Sequence, residues 1–161
     1  MCNHFIEYES SLAYELLKNS IEEFTWGIEQ TDVATGFEQF TTTLEMLLLE
    51  RKQSSKTKTL AKRVAMLLED EEANIKLIYN KMKLFYGYRS DSLHEGDGQN
   101  ITNSELTEQE EIVRRVLKKY LKFCWIEISS NPSITWAEIK AKKIGELEKS
   151  ILELNANIFV G

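Results

Sequence analysis

The sequence predicts an all-α protein, an up-and-down bundle of about five to six helices in one domain spanning residues 1–161. Three observations predict this fold class. Apolar residues recur at three- and four-residue spacing over long stretches, the chain has one proline and seven glycines in 161 residues, and no segment alternates like a half-buried strand. A chain of this length buries roughly two thirds of its unfolded-chain surface, so it needs no disulfide or metal to hold its core.

The first three helices follow from their apolar stripes. The first is predicted over about Glu9 to Gln30, and the second begins after Asp32, whose carboxylate suits an N-cap. A polar connector, 53–56, precedes the third helix, which ends at the acidic run 69–72. The expected core positions are Leu17, Ile21, Phe24, Ile28, Val33, Phe37, Phe40, Leu44, Leu47, Leu48, Leu60, Val64, Leu67 and Leu68.

The acidic run is expected to open the fourth helix, because carboxylates favour a helix N-terminus. Thr107-Glu108-Gln109-Glu110 resembles a capping box that starts the fifth helix, and Thr135-Trp136-Ala137-Glu138 resembles another that starts the last one, after a break at 131–133. The last helix is expected either to pack within the chain or to serve a dimer. The core positions expected here are Ile75, Ile78, Tyr79, Met82, Phe85, Tyr86, Ile112, Val116, Tyr120, Phe123, Cys124, Ile144, Leu147, Ile151, Leu154 and Ile158.

Charge and composition limit the possible partners. The net charge of −6 argues against a protein that coats nucleic acid nonspecifically, because such binding depends on neutralising phosphates. The first twenty residues lack a signal-peptide core and no apolar run reaches membrane-spanning length, so we expect a cytoplasmic protein without a membrane partner. The Met1 start permits a complete protein. Cys2 and Cys124 are not spaced as metal ligands, and Cys124 is expected in the core.

The main candidate site is the string from Arg89 to His94 at the end of the fourth helix. An arginine supplies a fixed positive charge and a histidine moves protons near neutral pH, which phosphodiester cleavage can use. On an ideal helix the two lie about 140° apart, so either the helix ends or distorts near Ser92, as Gly96 and Gly98 suggest, or a second copy supplies the partner groups. The alternative is a structural role in capping and salt bridges.

Three segments in order resemble the HEPN domains, particularly their Apea-like branch. They are 43–48, containing Leu44-Glu45, then 60–68, containing Arg63-x-Ala65-x-Leu67, and then 88–94. The resemblance covers about residues 34–124, and residues 131–161 add a C-terminal helix outside it. It implies a helical bundle that is commonly dimeric. The best-known activity of the family is metal-independent RNA cleavage in toxin–antitoxin and phage-defence systems, while other members are inactive binding modules.

The resemblance implies roles for individual residues. Arg89 and His94 fall on the catalytic pair of the family, and Ser90, Asp91 and Glu45 are supporting candidates. Glu45 is expected to orient Arg89 or His94, or else to form a structural salt bridge with Arg89 or Arg63. No cofactor or metal is expected. The implied partners are RNA, a second copy of the chain and an antitoxin or regulatory protein.

A basic stripe on the fifth helix is a second candidate. Arg115, Lys118, Lys119 and Lys122 share one face and follow the Arg89/His94 segment after one loop, so they are candidates for guiding a phosphate backbone. A solvated face is the plainer interpretation. The sequence therefore leaves two hypotheses: an RNA-cleaving HEPN-type enzyme, and a catalytically inactive HEPN-like module that binds protein, RNA or nucleotide.

Overall fold

The computed structural model describes residues 12–50, 52–95, 101–154 and 156–159, and this part of the chain contains six α-helices and no strand. The all-α bundle predicted from the sequence is confirmed. None of the described helices is both long enough and apolar enough to cross a membrane. The helices are α1 (Leu12–Glu29), α2 (Val33–Leu48), α3 (Lys56–Leu68), α4 (Glu72–Glu95), α5 (Asn103–Ser130) and α6 (Trp136–Glu153), and a 3₁₀ turn covers Ala156–Phe159.

Two helical hairpins form the centre of the bundle. Residues 30–32 join α1 to α2 and residues 69–71 join α3 to α4, and each pair packs together over most of its length. Connections this short make consecutive helices antiparallel neighbours. Helix α2 also touches α3, α4, α5 and α6, so it is the central helix. Its inward residues are fully buried, among them Phe37, Leu44, Leu47 and Leu48.

The helix starts show how local hydrogen bonding sets the boundaries. The Asp32 carboxylate accepts the Thr35 N–H at 2.8 Å, which confirms the predicted cap of α2. Helix α5, however, begins five residues earlier than predicted, with a capping box formed by Thr102 and Glu105. Thr107 lies inside the helix, where its hydroxyl donates to the Asn103 carbonyl. Both stretches fit the T-x-x-E pattern, so the pattern alone does not distinguish them.

The predicted apolar stripes are buried along α2, α3 and α4, but the stripe on α1 is only partly right. Phe24 is buried, whereas Ile21 and Ile28 are 38% and 47% exposed. The reason is the close approach of α1 to α2 at Gly27. A Cβ at this position would lie 2.6 Å from the Phe40 ring, so the contact face of α1 is turned toward the glycine.

The last helix packs within the chain, against α3, α1 and α2. Its Thr135–Glu138 capping box is present as predicted, and Ile144 and Leu147 are buried. The helix ends at Glu153, so Ile158 belongs to the 3₁₀ turn instead, where it is also buried. This turn packs on α4, with ring centroids of Phe159 and Tyr79 5.1 Å apart.

Arg63 joins three helices from inside the bundle. Its guanidinium is 3% exposed; it donates to the Leu48 carbonyl at 2.7 Å and to the Glu148 carboxylate at 2.8 Å, and lies 4.0 Å from Glu50. A buried charge is tolerated when it is paired and hydrogen-bonded in this way. The arginine of the second HEPN-like segment therefore ties α3 to the end of α2 and to α6.

Candidate functional site

The candidate pair Arg89 and His94 lies on one continuous helix. Helix α4 passes Ser92 and ends at Glu95, directly before Gly96, so its end lies three residues after the position near which an end or distortion was expected. The side chains of residues 89–95 lie outside the described part of the structure, and these include the supporting candidates Ser90 and Asp91. Along an α-helix, five positions place the two Cα atoms about 140° apart around the axis.

Glu45 of α2 contacts α4 one turn before Arg89. Its Oε1 accepts a hydrogen bond of 2.7 Å from the Tyr86 hydroxyl, and both residues are half-buried. Three residues separate Tyr86 from Arg89, a rise of about 4.5 Å along the helix. The first HEPN-like segment thus meets α4 at a position two residues before the third segment, although Glu45 and Tyr86 are 41 positions apart in the sequence.

Tyr88 ties α4 to the start of α5. Its hydroxyl donates to Glu105 Oε1 at 2.8 Å, and its ring packs edge-on against Phe37, with centroids 6.1 Å apart. The hydrogen bond to Glu105 raises the pKa of Tyr88. The pKa of Glu105 is lowered, first by the Thr102 N–H, then by the Thr102 hydroxyl and the Tyr88 hydroxyl. The carboxylate that caps α5 therefore also holds α4.

A second link between α4 and α5 is the ion pair of Lys81 with Glu108, about two turns from Tyr88. The order of these contacts shows that the two helices run antiparallel, since Tyr88 meets Glu105 and Lys81 meets Glu108. Residues 96–100 join them and lie outside the described residues. Helix α4 is thus tied to α2 and α5 between Lys81 and Tyr88.

The basic stripe on α5 divides into two pairs. Arg115 forms an ion pair with Glu69, and the Lys119 ammonium donates to the Leu68 carbonyl at 3.0 Å. Both cations therefore sit at the C-terminal end of α3, where carbonyl groups attract positive charge. Lys118 and Lys122 are exposed.

Two surface clefts complete the description. A cleft of about 630 Å³ lies between α1, α2 and α6, with Glu45 on its wall, and a groove of about 440 Å³ lies between α3, α5 and α6. The groove has an apolar floor, and Lys143 stands over the Phe123 ring at 4.2 Å while it pairs with Glu146. The cleft is lined by Ser20, Glu45, Met46, Leu49, Glu50, Lys56, Trp136, Ala137, Lys140, Ala141 and Ile144.

Cys124 is a core residue, as predicted, and burial raises the pKa of its thiol to about 12. A thiol at this pKa is not a nucleophile near neutral pH. Within the described ranges, no group of three or more histidine, cysteine or acidic side chains is arranged to hold a metal ion.

Sequence reasoning missed the two tyrosines that fix α4. Tyr86 was expected only as a core residue and Tyr88 only as part of the motif string, yet both donate to carboxylates beside the candidate site. The sequence signal that pointed to them was their position, since Tyr86 lies three residues and Tyr88 one residue before Arg89.

Comparison with protein-family models, curated proteins and solved structures gives no match for this chain.

Proposed function

We propose that this chain is a metal-independent endoribonuclease of HEPN type, in which Arg89 and His94 act on the scissile RNA phosphate. One observation carries the proposal. The Tyr86–Glu45 hydrogen bond brings the first HEPN-like segment against α4 one turn before Arg89 and two residues before the third segment begins, so two parts of the resemblance lie near each other in space as well as following one another in sequence. The second segment supports the same bundle through the buried pairing of Arg63.

The chemistry of the proposal needs a proton shuttle and a charge stabiliser. His94 takes the proton from a ribose 2′-hydroxyl, or gives one to the leaving 5′-oxygen. Arg89 stabilises the negative charge that develops on the phosphorane. Attack of the 2′-oxygen on phosphorus breaks the bond to the 5′-oxygen and leaves a 2′,3′-cyclic phosphate. No step of this scheme uses a metal ion.

A second copy of the chain completes the proposed site. One histidine does not perform both proton transfers at once, and the unbroken α4 sets Arg89 and His94 about 140° apart around its axis. Two copies that meet at the ends of their α4 helices place two histidines and two arginines around one phosphate. We therefore include a homodimer in the proposal.

Outside the catalytic pair, the proposed RNA contacts are made by Lys118 and Lys122 of the basic stripe, which are exposed. Lys118 lies thirteen residues after Glu105, a distance of about 20 Å along α5, and Lys122 lies one turn further. A single strand that reaches the end of α4 can extend to these lysines over several nucleotides. Arg115 and Lys119 contribute less, because they already bind Glu69 and the Leu68 carbonyl.

The proposed setting is a cytoplasmic toxin or phage-defence system. A ribonuclease that acts on cellular RNA harms its own cell unless another component restrains it. We therefore propose an antitoxin or regulatory protein as a further partner.

The first test is cleavage of a mixed RNA substrate in the presence of EDTA by wild type, Arg89→Ala and His94→Ala. Replacing the only other histidine, His4→Ala, is the matched control. The proposal expects cleavage by wild type and the control, at least 10²-fold less by either variant, and melting temperatures within a few degrees. Equal cleavage by wild type and His94→Ala would remove His94 from the site.

The alternative is a catalytically inactive module that binds a protein, RNA or nucleotide. Two observations favour it: the net charge of −6, and the engagement of Arg115 and Lys119 by α3, which leaves fewer cations for RNA. Under this alternative Arg89 and His94 serve the fold. Replacing either one then lowers the free energy of unfolding by more than about 1 kcal/mol, and no protein in the series cleaves RNA.

A further inference from the structure

Two tyrosine–glutamate hydrogen bonds hold α4 directly before the candidate pair. We propose that Tyr86 and Tyr88 are positioning residues that fix the rotation of α4 about its axis, and thereby the directions in which residues 89 and 94 face RNA. This inference rests on the proposed ribonuclease function. It assigns the two tyrosines a role in catalysis that acts through the helix, without contact to the substrate.

The geometry of the two bonds suits this role. Positions 86 and 88 differ by about 200° around the helix axis, so their hydroxyl groups leave α4 on nearly opposite sides. Tyr86 reaches α2 at Glu45, over 2.7 Å, and Tyr88 reaches the start of α5 at Glu105, over 2.8 Å. Helix α4 packs along α3 and also against α2, and these two hydrogen bonds add a constraint on either side of its axis directly before residue 89.

The acceptors are themselves fixed. Glu105 also accepts from the Thr102 N–H and hydroxyl, each at 2.8 Å, so its carboxylate cannot follow Tyr88 if α4 turns. Glu45 lies on α2, the central helix, whose inward face is fully buried. The packing of Phe37 against both Phe85 and Tyr88 adds a third contact between the same helices.

Small rotations matter because side-chain tips lie far from the helix axis. A tip about 6 Å from the axis moves by about 1 Å when the helix turns by 10°. A misplacement of this size can reduce a rate by about 10²-fold, because catalytic groups act only in a narrow range of geometry. The hydroxyl groups of Tyr86 and Tyr88 therefore affect kcat far more than they affect RNA binding.

The test is Tyr86→Phe, Tyr88→Phe and the double variant, each assayed for kcat and KM below its melting transition. The matched control is Tyr79→Phe, which removes a hydroxyl from a buried tyrosine of the same helix, about three turns before Arg89, whose ring packs against Phe159. We expect kcat to fall about tenfold in each single variant and further in the double variant, with KM within twofold and the control unchanged. Unchanged kcat in the double variant overturns the inference.

Two variants of Glu45 identify the path of the effect. Glu45→Gln keeps an oxygen that accepts from Tyr86, so it should retain kcat within about threefold of wild type. Glu45→Ala removes the acceptor of Tyr86, so its loss and that of Tyr86→Phe should be less than additive in the double variant, because both changes break the same hydrogen bond. Additive losses would mean that Glu45 acts independently of Tyr86 and would overturn this part of the inference.

A readout without RNA separates this inference from the proposed function. The chain has two histidines, so the ring signals of His94 can be assigned by NMR with the His4→Ala variant. If the tyrosines set the orientation of the end of α4, Tyr86→Phe and Tyr88→Phe shift the His94 signals and Tyr79→Phe leaves them in place. Such shifts in a protein that does not cleave RNA would refute the ribonuclease and support the positioning. Unshifted signals would refute the positioning even if wild type cleaves.

Discussion

At the scale of single residues, the buried guanidinium of Arg63 has the largest expected effect on stability. Replacing it in Arg63→Ala leaves the Leu48 carbonyl and the Glu148 carboxylate without their donor. Removing one partner of a buried ion pair typically costs about 3 kcal/mol, somewhat less here because Glu148 is 44% exposed. Urea unfolding should therefore show a loss of about 2 to 3 kcal/mol.

The control for Arg63 is an ion pair with both partners exposed. Lys18 lies 3.7 Å from Glu22, and their side chains are 56% and 62% exposed, so Lys18→Ala should cost at most about 1 kcal/mol. Equal losses in the two variants would show that the Arg63 contacts contribute no more than surface charge does. In that case the hydrogen bonds of Arg63 would not explain why the second HEPN-like segment contains an arginine.

The buried thiol of Cys124 predicts a pH dependence of stability. Its pKa is raised to about 12 in the folded protein, whereas an unfolded cysteine ionises near pH 8.5. The stabilisation from keeping the thiol neutral is complete below about pH 8.5, and it is lost as the pH rises toward 12. The urea midpoint should therefore fall between pH 8 and pH 10.5, and it should fall less in Cys124→Ala.

The same burial predicts slow alkylation. In a Cys2→Ser background, iodoacetamide at pH 8 should modify Cys124 only as fast as the protein unfolds, and rapidly once urea is added. Fast modification of the native protein would show that the thiol is accessible. It would contradict both parts of the prediction.

Residue roles were predictable from the sequence only where the signal is local. Cys124 was assigned to the core from its own helix face, and Asp32 was assigned to a cap from its neighbours; both assignments are confirmed. The hydrogen bond between Tyr86 and Glu45 joins residues 41 positions apart. No local spacing encodes such a pair, because it depends on how two helices pack.

At the scale of elements, the start of α5 provides a direct comparison between two threonines. Thr102→Ala removes the N-cap hydroxyl and should cost about 1 kcal/mol of stability, because the Glu105 N–H loses its acceptor at the helix start. Thr107→Ala should be neutral within about 0.5 kcal/mol, since Thr107 lies inside the helix. Thermal or urea unfolding measures both variants under identical conditions.

If Thr107→Ala lowered the stability more than Thr102→Ala, the start of α5 predicted from the sequence would be the correct one. Under that outcome α5 would begin at Thr107, and Glu105 would no longer be fixed by a capping box. The Tyr88 contact would then lose its rigid acceptor. The comparison therefore bears on the start of the helix and on the positioning of α4.

Most helices were predictable because their apolar spacing is regular over three or more turns. Helix α1 differs, since its contact with α2 is set by the missing side chain at Gly27 and by the Phe40 ring beside it. The face of α1 that contacts α2 is centred on a glycine, and a pattern of large apolar residues does not reveal such a face. The sequence also did not predict that α4 continues past Ser92 to Glu95, because Gly96 and Gly98 indicate that the helix ends nearby but do not determine its last residue.

At the scale of the whole molecule, the bundle brings segments 43–48 and 60–68 into contact through Leu48 and Arg63, and it brings Glu45 against Tyr86, two residues before segment 88–94. Helix α2 carries Glu45, α3 carries the structural Arg63, and α4 carries residues 89 and 94 beyond its clamped turns. The sequence predicted each helix, but the packing order of the six was not accessible from periodicity. The side of the bundle on which α4 ends is decided by its contacts with α2 and α5.

A composite site formed by two copies predicts complementation between inactive variants. Arg89→Ala and His94→Ala are each expected to be inactive alone. After mixing and reassortment about half of the dimers contain one of each, and such a dimer has one intact arginine and one intact histidine, supplied by different copies. It lacks the second histidine, so one proton transfer falls to water, and only a small part of the wild-type activity should return, in proportion to the fraction of mixed dimers.

Dilution tests the same composite site without mutation. The specific activity of wild type should fall once the protein concentration drops below the dimer dissociation constant, and sedimentation should show the dimer dissociating over the same range. If activity per chain stays constant down to fully monomeric protein, and mixing restores nothing, one chain cleaves alone. Arg89 and His94 of a single α4 would then have to reach one phosphate across about 140° of helix, which requires α4 to unwind between them when RNA binds.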